Sequence, residues 1–194
     1  MENLIKALKK LSLDNPLEKF KWDIPTNCPI SIPEDQQSGF EKNIYLKENF
    51  KETISADKTL KSHYWVVQDW GRISSFKQND RNNNRIQTFM RELEKDSLTR
   101  SSFDCISSLS KIASFINPEK YAIYDSRAIY TLNWLLFNQS GLAELFPQPI
   151  GRSAELSKYD MQTIFRLTKR PLIYKSHKVA YHQYCTFLKS LRQL

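Results

Sequence analysis

Between Ser107 and Tyr130 the chain reads SSLSKIASFINPEKYAIYDSRAIY. Two side chains in this stretch are equipped for chemistry. Asp125 stands directly before an apolar run, Ser126 to Phe137, that reads as a helix. Its carboxylate is therefore placed to cap that helix by accepting the N–H of Arg127 or Ala128, and the helix dipole keeps it ionised. An ionised carboxylate so placed can oppose a developing positive charge or orient an attacking water. Lys111 carries the second group, an amine that as a free base is a nucleophile able to form a Schiff base. A cap aspartate or a surface lysine is commonplace alone, so the weight rests on the pair.

The spacing predicts a helix over Phe103 to Ile116, closed by Asn117-Pro118. At about 100° per residue, Ile106, Leu109, Ala113 and Ile116 share one face. Lys111 falls opposite, nearest Ser107, Ser108 and Ser114, on a shallow polar face that a nucleic-acid backbone can approach.

Ala122-Ile123-Tyr124-Asp125-Ser126-Arg127-Ala128-Ile129 resembles the catalytic-aspartate element of the helix-hairpin-helix DNA glycosylase superfamily. Ser108-Leu109-Ser110-Lys111-Ile112-Ala113 resembles a degenerate version of that family's glycine-rich hairpin. Serines replace the hairpin glycines, the Lys-to-Asp spacing is shorter than in the common lyases of the family, and the four-cysteine cluster of some members is missing. The resemblance implies an all-α, helix-hairpin-helix-glycosylase-like fold, a DNA partner, and excision of a modified or damaged base to leave an abasic site. By association it extends to defence against phage DNA. It implies that Asp125 is catalytic and that Ser108, Ser110 and Arg127 lie along the DNA. The serines around Lys111 are polar and offer no adjacent cation to depress its pKa. Together with the short spacing, this makes water the expected nucleophile, with Lys111 contacting DNA or supporting Asp125.

Base excision needs the base out of the stack and in a pocket with aromatic walls. His63 to Arg72 (HYWVVQDWGR) is the richest source. Core packing is its plainer reading. Its functional reading makes Trp65, Trp70 and Tyr124 the stacking wall and gives Gln68 or Asp69 the base edge. Asp69 is then also a rival acid.

Lys plus Arg total 29 against 21 Asp plus Glu, a formal charge of +8. Such an excess suits a polyanion, most simply nucleic acid. Much of it lies near the C-terminus, where Lys169, Arg170, Lys175 and Lys178 interleave with Tyr159, Tyr174, Tyr181 and Tyr184. That mixture suits phosphate contacts and base stacking. With only 4 glycines, neither GxGxxG nor GxxxxGK[ST] occurs. Cys28, Cys105 and Cys185 offer no CxxC pair, and His177 and His182 do not share a helical face, so no metal and no cofactor are expected. The N-terminus lacks a signal-peptide apolar stretch and no run is long enough to span a bilayer. A cytoplasmic monomer without a membrane partner is expected.

The 194 residues suit one helical domain over 1–194. Periodicity predicts helices at Leu4–Leu13, Phe40–Phe50, around Leu60–Trp70, at Ile86–Leu93, at Phe103–Ile116, at Ser126–Phe137, at Lys158–Thr168 and at Ser176–Leu191. Ser126–Phe137 should be the most buried. Leu17–Gly39, with Pro25, Pro29 and Pro33, reads as an irregular segment with a short extended piece near Ile30 and Ile32. The runner-up function is a non-catalytic helical nucleic-acid-binding protein, in which Asp125 is only a cap. A helical adaptor for an acidic protein comes third.

Overall fold

The computed structural model describes residues 2–35, 38–139, 144–150, 158–169 and 171–191. These residues are mostly helical. In order they form α1 (Glu2–Asp14), a 3₁₀ turn (Leu17–Lys19), α2 (Gly39–Ala56), α3 (Lys61–Trp65), a π-helical turn (Val66–Trp70), α4 (Asp80–Glu94), α5 (Arg100–Phe103), α6 (Ile106–Ile116) and α7 (Ser126–Gln139). Strand β1 (Glu144–Leu145), α8 (Met161–Leu167), β2 (Ile173–Tyr174) and α9 (His177–Leu191) complete it. The two strands pair in parallel, Glu144 with Ile173 and Leu145 with Tyr174. No helix among the described residues is long and apolar enough to cross a membrane.

Local chemistry sets the helix starts. Ser38 and Glu41 form a reciprocal capping box, Ser38 Oγ accepting the Glu41 N–H at 3.1 Å and the Glu41 carboxylate accepting the Ser38 N–H at 2.8 Å. Asn79 caps α4 and Thr99 caps α5 through their side-chain oxygens. On α2, Leu46, Phe50 and Ile54 recur every fourth residue and are fully buried. They pack against α6.

The expected helix from Phe103 to Ile116 is broken at Asp104-Cys105 into α5 and α6. The break redirects the chain, so that α6 passes through the middle of the main core, touching α2, the π-helical turn, α4 and α5. Ile106 and all residues from Ser108 to Phe115 are buried. This corrects the expectation for Ser126–Phe137. In α7 Thr131, Trp134 and Asn138 face solvent, while Ile129, Leu132, Asn133 and Phe137 are buried. Apolar content alone did not reveal how many neighbours surround a helix. Residues 24–33 contain no strand, and a smaller apolar cluster of Phe137, Leu145, Met161 and Phe165 lies apart from the main core.

Candidate active site

The segment Tyr121–Asp125 runs extended into α7, held from both sides. From α9, Tyr181 donates its hydroxyl to the Ala122 carbonyl (3.2 Å) and Tyr184 donates to the Ile123 carbonyl (3.1 Å). The Cys185 sulfur accepts the Ala122 N–H at 3.4 Å. From α6, Ser110 Oγ accepts the Tyr124 N–H at 3.0 Å. The Tyr124 hydroxyl donates to the Pro147 carbonyl at 2.7 Å. Burial pushes the phenols of Tyr124, Tyr181 and Tyr184 up, so all three remain neutral donors at physiological pH. Asp125 then emerges at the start of α7. Its Oδ1 accepts the N–H groups of Arg127 and Ala128, both at 2.9 Å, which is the cap geometry its position predicts.

Lys111 reaches the same place from α6. Its stem crosses Gly71 at the end of the π-helical turn, and its Nζ donates to the Ser107 carbonyl at 2.7 Å. The residue is only 7% exposed. Burial lowers its pKa from the usual lysine range, and the nearby Asp125 carboxylate acts in the opposite direction. The premise that a polar, open setting leaves this amine unperturbed is thus corrected. Neighbouring serines are small, and the cover comes from residues 66–71, far away in sequence.

Asp125 and Lys111 line one open cleft of about 560 Å³, together with Trp22, Arg72, Ser108 and Arg127. Its charges are mixed, with the cations of Lys111, Arg72 and Arg127 facing the carboxylates of Asp104 and Asp125. Chemically it joins a carboxylate, a buried amine and an aromatic ring within one ligand-sized space.

The expected aromatic wall is elsewhere. Trp65 is buried and donates its indole N–H to Asn27 Oδ1 (3.1 Å), and Trp70 is buried and donates to Asn43 Oδ1 (2.8 Å). Gln68 donates to the Phe76 carbonyl (2.6 Å), and the Asp69 carboxylate accepts from Asn27 Nδ2 (3.0 Å). Tyr124 is fully buried. None of these five lines the cleft. Their aromatic and polar groups are consumed in holding the π-helical turn against the core and the proline-containing segment.

The expected DNA contacts divide similarly. Ser108 and Arg127 line the cleft, whereas Ser110 is fully buried and occupied by Tyr124. Lys175 is committed inward, with Nζ 2.7 Å from Glu144 Oε2 and over the Phe146 ring. Lys169 and Lys178 are exposed, and Arg170 lies outside the described residues. Trp22 is the cleft residue that periodicity missed. It sits in an irregular stretch, and only its size amid polar neighbours distinguished it.

Comparison with protein-family models, curated proteins and solved structures gave no match to this chain.

Proposed function

We propose that the protein is a DNA glycosylase of helix-hairpin-helix type that hydrolyses the N-glycosidic bond of a modified or damaged base. The observation that carries the reading is the convergence of Asp125, fixed at the start of α7, and Lys111, buried on α6, in one cleft. As the C1′–N bond breaks, its electron pair leaves with the base and positive charge develops on the sugar. The Asp125 carboxylate lies where it opposes that charge. Water adds to C1′, its proton is released, and an abasic site remains. Arg127 at the rim and the exposed Lys169 and Lys178 supply phosphate contacts. Modified bases of the kind found in phage DNA are substrates of choice to try.

The burial of Lys111 favours a second reading of the attacking group. A lysine amine held below its usual pKa is neutral more of the time and becomes a nucleophile. In that route Nζ forms the bond to C1′ as the base departs with the C1′–N electron pair, the new ammonium loses a proton, and the nitrogen lone pair then breaks C1′–O4′, whose oxygen takes up a proton, leaving a ring-opened, reducible iminium.

The test is incubation with several genomic DNAs, including phage DNAs with modified bases, scored for heat- or alkali-labile sites. Base release lost in Asp125→Asn supports the reading. DNA binding without release from any substrate moves the protein to the non-catalytic nucleic-acid-binding class.

A further inference from the structure

Trp22 is held by hydrogen bonds to neighbouring segments and carries an exposed guanidinium over its ring. Its indole N–H donates to the Trp70 carbonyl at 3.1 Å, and its own carbonyl accepts from Asn43 Nδ2 at 2.8 Å. Its ring packs on Trp70 with centroids 5.9 Å apart. The Arg72 guanidinium lies over the Trp22 ring, 4.8 Å from its centroid. That guanidinium is restrained by Asp23 at 3.4 Å, with side-chain exposures of 57% for Arg72 and 93% for Asp23. An ion pair so exposed is weak. Arg72 also has φ +55°, a left-handed conformation that disfavours a residue with a β-carbon. Both residues border the cleft that holds Asp125 and Lys111.

We propose that Trp22 and Arg72 form the nucleobase site of this cleft, with an unstacked base inserted between the indole and the guanidinium. The ligand class is a planar heteroaromatic ring presented by DNA. The inference rests on the base-excision reading for its place in catalysis, although stacking itself does not need catalysis. Two flat π surfaces, one rigid and one hinged, suit a base. A rigid floor costs no ordering when the base arrives. An arginine that already stacks on an aromatic face stacks equally on a base. Phosphate alone needs neither the ring nor its planar partner.

The experiment uses the full chain carrying Asp125→Asn, so that turnover does not consume the ligand. Affinity is measured by fluorescence anisotropy for a labelled single-stranded oligonucleotide. A second oligonucleotide of equal length, built of tetrahydrofuran abasic units, supplies the same phosphates without bases. Trp22→Leu should weaken binding of the first on the order of tenfold to a hundredfold, the usual scale for a lost stacking partner, and leave the second unchanged. Trp22→Phe, which keeps a ring, should retain most of the affinity. Arg72→Lys keeps the charge, loses the planar face, and lies at an exposed position where folding is not at risk. It should show the same discrimination to a smaller degree.

Equal losses on both oligonucleotides, or no loss on either, overturn the base site. If Trp22→Leu unfolds, Arg72→Lys decides the matter by the same comparison. Failure of the catalytic reading looks different. There the parent sequence releases no base from any DNA while the discrimination persists, and the base site stands alone. Conversely, undiminished excision in Trp22→Leu with unchanged KM removes the base site and leaves the excision reading intact.

Discussion

The side chain of Lys111 occupies the space that a β-carbon on Gly71 would need. An ideal β-carbon there would stand 2.7 Å from Lys111 Cδ, 2.7 Å from the Val67 carbonyl oxygen and 2.8 Å from that of Val66. The glycine is required by close approach, since its φ of −78° is open to any residue. Two of the three obstructing atoms are backbone, so the π-helical turn itself must give way. Gly71→Ala should destabilise the fold by about 1–3 kcal/mol, the cost of overpacking a filled interior. It should also displace Lys111 from the cleft. Thermal unfolding reads the first effect, and DNA affinity or base release reads the second. An alanine variant with unchanged stability would show that the turn relaxes freely.

On the base-excision reading, Asp125 has two separable duties, capping α7 and supplying charge. Asp125→Asn keeps an oxygen for the N–H groups of Arg127 and Ala128 and removes the charge. Folding and DNA binding should survive, while base excision falls by on the order of 3 kcal/mol in the barrier, over a hundredfold in rate. Asp125→Ala should add a stability loss of about 1 kcal/mol from the missing cap. Comparing unfolding midpoints of the two variants separates the duties. Full activity in Asp125→Asn would transfer the catalytic role elsewhere.

Borohydride trapping distinguishes the two attacking groups. Hydrolysis by water predicts abasic sites and no covalent protein–DNA adduct. An adduct that vanishes in Lys111→Ala would assign the bond-forming step to the amine. Its yield should then rise with pH, because only the neutral amine attacks, and the rise should be centred below the ordinary lysine range since burial depresses this group.

Lys47 on α2 is half-buried, with Nζ 5.5 Å from the Trp70 ring centroid and 5.7 Å from that of Phe115. Burial holds its pKa down to about 8 from 10.5. A depression of that size corresponds to roughly 3 kcal/mol against the folded state at neutral pH. The ring contacts return ~1 kcal/mol. Lys47→Met should therefore stabilise the protein by about 2 kcal/mol near pH 7, read as a higher Tm. The sign follows from proton binding. Between about 8 and 10.5 the unfolded chain holds more protons at this site, so its contribution makes stability rise with pH. Below about 8 the penalty is complete and flat. In Lys47→Met the rise across that window should disappear.

Much of the helical framework was legible in local pattern. The spacing of Ile86, Phe89, Met90 and Leu93 announced α4, and Asp125 before an apolar run announced the cap of α7. The surroundings of each helix were not legible, because they come from residues distant in the chain. Lys111 looked solvated among serines, yet the π-helical turn and Gly71 cover it. Trp65 and Trp70 follow the plainer core-packing reading of their segment, but the partners that hold their indoles, Asn27 and Asn43, lie far off in sequence. No periodicity marked Trp22, since its position depends on where an aperiodic segment happens to cross the π-helical turn. Lys175 looked like part of a phosphate-binding field until its pairing with Glu144 brought β1 and β2 together.

The fastening of residues 122–123 by Tyr181, Tyr184 and Cys185 has a consequence for when the protein acquires its site. The partners are separated by 59, 61 and 63 residues, so the aspartate's approach path is completed only after α9 has been made and has docked. Contacts of such long range form late in folding. A nascent chain that has already exposed Lys111 and Asp125 to the cell therefore carries the motif without the geometry. A shortened version ending before Ala180 should be inert, even where it keeps α6 and α7. The docking of α9 thus decides whether Asp125 is presented to the cleft at all.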